Sequence, residues 1–355
     1  MGEHHQNKPL LYGGQAVIEG VMMRGPRHAA VAVRRADGTI RTQAIEAVPW
    51  LTRHPRWNIP FLRGPVALFD SLRLGVWGLK WSAAQAMEDA VADEAAKKDA
   101  GTRGRGNADS RDPGFSSPSG GGSEGAASGS LTEPILGEGE KDKPGSSGAS
   151  DAAIQGTMGL GLLIGVGLFI ALPTLLAGPL KSRLGTTGLN VVEGVIRLAL
   201  FFGYLRLIAL LPGIRRVFEF HGAEHRVINA LESGAPMTPD GVRGFAVVHP
   251  RCGTSFAIFV LLLATVVYTF FGWHVWWLRL LVRLALLPLI AGAAYELLKL
   301  AGRLRGNTLL EVVTWPGRFS QRFTTREPDD AQTEVAIAAL QAVQEAEHAE
   351  APVLA

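Results

Sequence analysis

The run "MGLGLLIGVGLFIALPTLLAG", from Met158 to Gly178, contains no ionisable side chain. A helix needs about 20 predominantly apolar residues to cross the hydrocarbon layer of a bilayer, and a run apolar on every face gains nothing from water. The chain is therefore expected to enter a membrane here. A second run, Val191 to Leu211, is long enough to cross but carries Glu193, Arg197 and Arg206. Ionisable groups inside a span usually face protein or water, and Glu193 and Arg197, four residues apart, share one helix face. Two more runs follow, Phe256 to Trp273 and Leu278 to Leu300, joined by "WHVWW", whose tryptophans mark an interfacial belt.

Four spans leave both termini on one side. The segment from Pro212 to Ser255 holds Arg215, Arg216, Arg226, Arg243 and Arg251, and Arg303 and Arg305 follow the last run, whereas the turns near Lys181 and His274 are poorer in charge. The bias of basic residues toward the cytoplasm places that segment and both termini there, in a multi-pass protein of the inner (plasma) membrane. The lipid bilayer is thus the expected partner; nothing in the sequence identifies a protein partner or an oligomer.

The remaining stretches are polar or mixed. Residues 96–150 are rich in Gly, Ser, Pro and charge and are expected to form a disordered linker. Before it, "AAVAVRRADGTIRTQAIEA" alternates around Asp37-Gly38, which predicts a β-hairpin over Ala29 to Ala47. The stretch around Leu68, Leu72, Trp77 and Leu79 reads as an amphipathic helix, either lying at the membrane interface or buried in a soluble layer. Pro328 to Glu347, with Val335, Ile337, Leu340 and Val343 near helical spacing, predicts a helix docked on the cytoplasmic portion.

The expected partition is residues 1–94 (glycine-rich opening, hairpin and amphipathic helix), 95–150 (linker), 151–212 (spans one and two), 213–255 (cytoplasmic loop), 256–300 (spans three and four) and 301–355 (C-terminal region). The fold class is a mainly α-helical polytopic membrane protein of about four transmembrane helices, with a small cytoplasmic α+β portion that includes the hairpin. A formal net charge of +3 over 355 residues argues against an extended nucleic-acid surface. A single cysteine, Cys252, excludes an internal disulfide, and the opening lacks the apolar core of a removable signal peptide.

The segment "EFHGAEHRVINALESG" (Glu219 to Gly234) carries the densest chemistry. If it is helical, His221 and His225 lie on one face with Glu224 beside them, the H-x-x-E-H pattern of inverted zinc-protease motifs. There two imidazoles hold a divalent metal, with zinc as the candidate, and the glutamate takes a proton from bound water. A third ligand is required; His249, Cys252 and the distant Glu296 are on offer. Cys252 also allows a second chemistry, a thiolate activated by histidine, and a third reading makes the whole group a hydrogen-bonded structural cluster. Gln15, Glu19 and Arg24 in the opening "GGQAVIEGVMMRGP", and Arg251 in "HPRCGTSF", complete the polar candidates.

"YGGQAVIEGVMMRGP", "FLRG", "NVVEGVIRLALFFGYL", "HGAEH", "HPRCGTSF" and "FTTREPDDAQTEVAIAAL" together resemble the YqhQ-like family of bacterial membrane proteins, over nearly the whole chain outside the linker and extreme ends. The resemblance implies membrane residence and, from the family's label, a metal-dependent enzyme without a defined reaction. A hydrolase with Glu224 as base is the leading expectation. A non-catalytic membrane scaffold or regulator is the alternative, and a transporter, suggested by Glu193, Arg197, Arg279, Arg283 and Glu296 but lacking a clear internal repeat, comes third.

Overall fold

The computed structural model describes residues 12–106, 156–157, 159–161, 163–272, 275–303 and 308–349. These divide into a larger compact unit within Met1–Val91 and Gly165–Ala355 and a smaller one within Ala92–Ile164. The larger unit opens with an antiparallel meander, β1 (Gly13–Val17), β2 (Gly20–Arg24), β3 (His28–Arg34) and β4 (Ile40–Glu46), in that spatial order. The hairpin expected around Asp37-Gly38 is β3–β4, pairing Ala29 with Ile45 and Val33 with Arg41. The glycine-rich opening adds a second hairpin, β1–β2, closed so tightly that Val17 pairs with Gly20 and Glu19 is held at φ 53°.

Strand alternation sends Val21, Met23, Ala30 and Ala32 to one face of this sheet and Val17, Met22, Ala29, Val31 and Val33 to the other. Both faces are covered by helices. After the short α1 (Trp50–Arg53), the long α2 (Arg63–Gly106) lays Leu74, Trp77 and Trp81 on the second face. The apolar stripe expected on α2 therefore splits: Trp77 turns inward while Leu68, Leu72 and Leu79 stay exposed on the outside. The helix also continues to Gly106, beyond the expected start of the linker; residues 107–150 lie outside the described residues.

The helices that follow are α3 (Leu172–Ala177), α4 (Thr186–Ile208), α5 (Pro212–Glu232), α6 (Pro239–Val242), α7 (Gly253–Thr269), α8 (Trp276–Arg303), α9 (Thr308–Thr324) and α10 (Asp330–Ala349). The first sheet face is covered by Phe220, Ala223 and Val227 of α5 and by Val335, Ala336, Leu340 and Val343 of α10. Each fully buried Leu or Val side chain in this layer contributes roughly 1.5–3 kcal/mol. The C-terminal helix begins after Asp329 rather than at Pro328 because Asp329 and Gln332 cap it reciprocally: Gln332 N–H donates to Asp329 Oδ1 at 2.7 Å and Asp329 N–H to Gln332 Oε1 at 3.0 Å.

Helices Gly159–Ser182 and Trp277–Ala301 are long and apolar enough to cross a membrane. Helices α4 and α5 meet at 102° and count as a third candidate only if the bent pair is one span; α7 is apolar but shorter. The run expected over Val191 to Leu211 thus turns sharply at its end, where Pro212 opens α5, and the run expected over Phe256 to Trp273 stops at Thr269. Met158, Leu162, Trp273 and His274 of the expected spans and junction lie outside the described residues.

Candidate metal centre

Helix α5 carries His221, Glu224 and His225 toward the rim of the sheet. Gly234 fixes its C-terminus: it takes φ 70°, Ala235 N–H donates to Ala230 O and Gly234 N–H to Leu231 O, the paired bonds of a Schellman cap. Gly222, inside the motif, has a separate purpose. A Cβ there would lie 1.9 Å from the Arg326 carbonyl oxygen, so only glycine lets the segment after α9 lie directly on this helix. That close approach brings the Thr324 carbonyl within 2.8 Å of His221 Nδ1, which donates to it. On the next turn His225 Nδ1 donates to the Val247 carbonyl, also at 2.8 Å.

A carbonyl oxygen only accepts, so each ring carries its proton on Nδ1 and, when neutral, presents the lone pair of Nε2. The ring centroids are 4.4 Å apart. Cys252, the residue preceding α7, sets its Sγ 3.3 Å from His221 Nε2 and 3.0 Å from Thr254 Oγ1. One donor atom from each of His221, His225 and Cys252 falls within 4.8 Å of the others. Tetrahedral zinc with ordinary Zn–N and Zn–S lengths separates its donors by roughly 3.3–3.6 Å, so the donor set fits such an ion after a small contraction. Backbone carbonyls that fix the outer nitrogen of each imidazole are the usual orienting partners of metal-binding histidines.

Glu224 is buried, with Oε2 3.5 Å from His225 Nε2. Burial works against a charged His225, but Glu224 and then Cys252 outweigh it, and His225 titrates above the ordinary histidine value despite opposition from His221. Gly14 of β1 closes over the glutamate: a Cβ there would lie 2.9 Å from Glu224 Cγ and 2.5 Å from the Met22 carbonyl oxygen. The cluster opens into a cleft of about 480 Å³ whose lining includes Gln15, Arg24, Ser71, Glu224 and Arg251.

The other two candidates for third ligand are placed differently. His249 lines the cleft, but its Nδ1 accepts the Arg251 backbone N–H at 3.3 Å and its Nε2 faces Glu232 Oε2 at 3.7 Å. Glu296 accepts Arg63 Nε–H at 2.6 Å and the Phe61 backbone N–H at 3.4 Å. Glu19 pairs with Arg216 at 2.6 Å and does not line this cleft. Glu193 and Arg197 do pair, at 2.8 Å, but among α3, α4 and α8, where Arg283 Nη2 also donates to Glu193 at 2.6 Å and Thr174 Oγ1 at 2.9 Å.

Sequence reading missed Gln321. Fully buried on α9, it accepts the His249 backbone N–H at 2.8 Å and donates to the His249 carbonyl at 2.7 Å and to Ser255 Oγ at 2.8 Å, holding the chain on both sides of Cys252. Its signal is a buried polar row, Ser320, Gln321, Thr324 and Thr325, recurring at helical spacing in "RFSQRFTTREP".

Residues 59–346 match the family described as Protein of unknown function (DUF1385). The chain is also 32% identical over 336 residues to the uncharacterized protein YqhQ of Bacillus subtilis (strain 168), an alignment that covers 93% of this chain and 91% of that relative. No solved structure matches. The chain belongs to this DUF1385, YqhQ-like family.

Proposed function

We propose that the protein is a multi-pass membrane enzyme that carries out metal-dependent hydrolysis at the cytoplasmic face. The observation that carries this reading is the convergence of His221, His225 and Cys252 donors within 4.8 Å, with the outer nitrogen of each imidazole fixed by a carbonyl. A divalent ion held by these three residues would supply a polarised water as nucleophile. Glu224 takes the proton from the attacking water and returns it to the leaving group, and the surrounding burial strengthens that exchange by limiting solvent. Gln321 positions Cys252 by fixing the backbone on either side of it.

Membrane residence is supported by the two candidate spanning helices, Gly159–Ser182 and Trp277–Ala301. The basic residues between Pro212 and Ser255 favour a cytoplasmic site. Reporter fusions after Gly213 and at the C-terminus then score cytoplasmic, and one near Gly185 scores on the opposite side; reversed signals overturn the orientation.

Metal analysis of detergent-purified full-length protein, beside His221→Ala/His225→Ala, tests the enzyme reading. Stoichiometric metal in the wild type and its loss in the double variant are expected. Metal surviving both substitutions removes this site. The 3.3 Å approach of Cys252 to His221 favours one other reading, a thiolate–imidazole nucleophile; activity indifferent to chelator and abolished by Cys252→Ser selects it.

A further inference from the structure

The guanidiniums of this unit are mostly matched with carboxylates. Arg35 meets Asp89, Arg63 meets Glu296, Arg216 meets Glu19 and Arg251 meets Glu232. Arg24 is different. It stands at the end of β2, only partly exposed, lining the same cleft as His221, Glu224, His225 and Cys252. Its Nη1 makes a long hydrogen bond to Ser71 Oγ at 3.5 Å, and among the described residues no carboxylate lies within ion-pairing distance of it. Asp70, the nearby acid, instead accepts the Trp50 backbone N–H at 2.6 Å. Burial holds the Arg24 pKa below the usual guanidinium value, with Asp70 and Tyr295 opposing, yet the group stays charged at neutral pH.

We propose that Arg24 is the seat for a phosphate group of the substrate, so that the cleft takes a phosphate-bearing molecule and presents the adjoining bond to the His221–His225–Cys252 cluster. The hydrolytic part of this statement rests on the function proposed above; the phosphate seat does not. A partly desolvated guanidinium with no carboxylate partner is stabilised by an incoming oxyanion, and the planar fork suits phosphate. The cleft walls carry Arg24 and Arg251, and with Arg251 already matched by Glu232 it is Arg24 that is left to meet an incoming anion. Ser71 and Gln15 add neutral donors, and Gly253 at the first turn of α7 brings the positive end of that helix to the same wall. Phosphate presents more acceptor oxygens than carboxylate and uses more of these donors. At about 480 Å³ the cleft is sized for a small molecule or a single headgroup.

The test uses full-length protein in a non-ionic detergent with inorganic phosphate as probe and acetate at matched ionic strength as control. Thermal unfolding is followed as either anion is added. Phosphate is expected to raise the unfolding temperature saturably and acetate is not. Arg24→Gln should weaken phosphate binding at least tenfold, whereas Arg24→Lys, which keeps the charge without the fork, should weaken it less. Equal shifts by acetate and phosphate overturn the assignment, and so does unaltered phosphate binding in a folded Arg24→Gln protein. If that variant fails to fold, Ser71→Ala serves in its place, with a measurable loss of phosphate affinity expected and no change overturning the proposal. Glycerol phosphate and phosphatidic acid in mixed micelles then compete with the probe. Displacement by glycerol phosphate alone marks a soluble ester, displacement by phosphatidic acid marks a lipid headgroup, and displacement by neither overturns the seat. His221→Ala/His225→Ala separates the two proposals. Phosphate binding that persists in it and needs Arg24, in a protein that never held metal, ends the hydrolase reading and leaves the phosphate seat standing.

Discussion

Cys252 Sγ lies 3.3 Å from His221 Nε2, while the other nitrogen of the same ring donates to the Thr324 carbonyl. The thiol therefore faces a lone pair rather than an N–H when the imidazole is neutral. A metal-bound thiolate and a thiol–imidazole nucleophile both begin from this arrangement. They differ in what Glu224 and chelators do to them.

In the metal reading, Glu224→Gln keeps bound metal and lowers hydrolysis about 10²–10⁴-fold, because the amide preserves shape but cannot accept the proton. Cys252→Ser lowers metal affinity and activity together, and added metal partly restores both. Metal content measured beside turnover decides the matter: full activity in Glu224→Gln, or turnover unaffected by chelator, removes the assigned roles.

Gly222→Ala is expected to destabilise the protein although alanine is the better helix former. The propensity gain is about 1 kcal/mol. Against it, the new Cβ meets the Arg326 backbone oxygen at 1.9 Å, and a backbone oxygen cannot swing aside as a flexible side chain does. Overpacking of this kind costs about 1–3 kcal/mol, and moving residues 324–326 also takes the acceptor from His221. Thermal unfolding of the purified variant should show a lower midpoint with weaker metal binding; a stabilised variant would mean that the two segments are not in contact.

Gln321→Leu removes three hydrogen bonds that fix the His249 backbone and Ser255. Buried partners left unpaired cost about 1–3 kcal/mol each, so the loss of stability should be large. Gln321→Glu keeps the acceptor for the His249 N–H and should recover part of it. Because Gln321 does not touch the donor atoms, its effect on metal is through position, and affinity should fall about 10–100-fold where the protein still folds. Affinity unchanged in a folded variant shows that Gln321 has only a packing role.

Much of this organisation could be read locally. The Asp37-Gly38 turn, the Gly234 cap and the periodicity of α10 each have causes within a few residues, and each appears in the fold. The position of Cys252 beside His221 was one of several open choices, because contact between residues 31 apart depends on the Gln321 clasp and on Gly222, which are set by tertiary approach. For the same reason Glu296 looked available: its commitment to Arg63, 233 positions away, leaves no trace in either local segment. The helices fared likewise, since apolar length alone did not reveal the turn of 102° between α4 and α5.

Glu193 lies between Arg197 of its own helix and Arg283 of α8. It is almost fully buried and shared by Arg197 and Arg283, while Arg197 Nε also donates to the Phe169 carbonyl at 2.7 Å. One carboxylate thus ties α4 to α8, and Thr174 of α3 joins it. If the cluster is a latch, Glu193→Gln leaves two buried guanidiniums without their counter-charge and costs on the order of 3–5 kcal/mol. Adding Arg283→Met should recover much of that loss, because an apolar side chain of similar length needs no counter-charge. If the cluster instead serves a transport pathway, Glu193→Gln should leave the folded fraction intact and alter ion or proton flux in reconstituted vesicles. Unfolding midpoints of the single and double variants, measured beside vesicle flux, separate the two. A stable, flux-altered Glu193→Gln protein would remove the latch assignment.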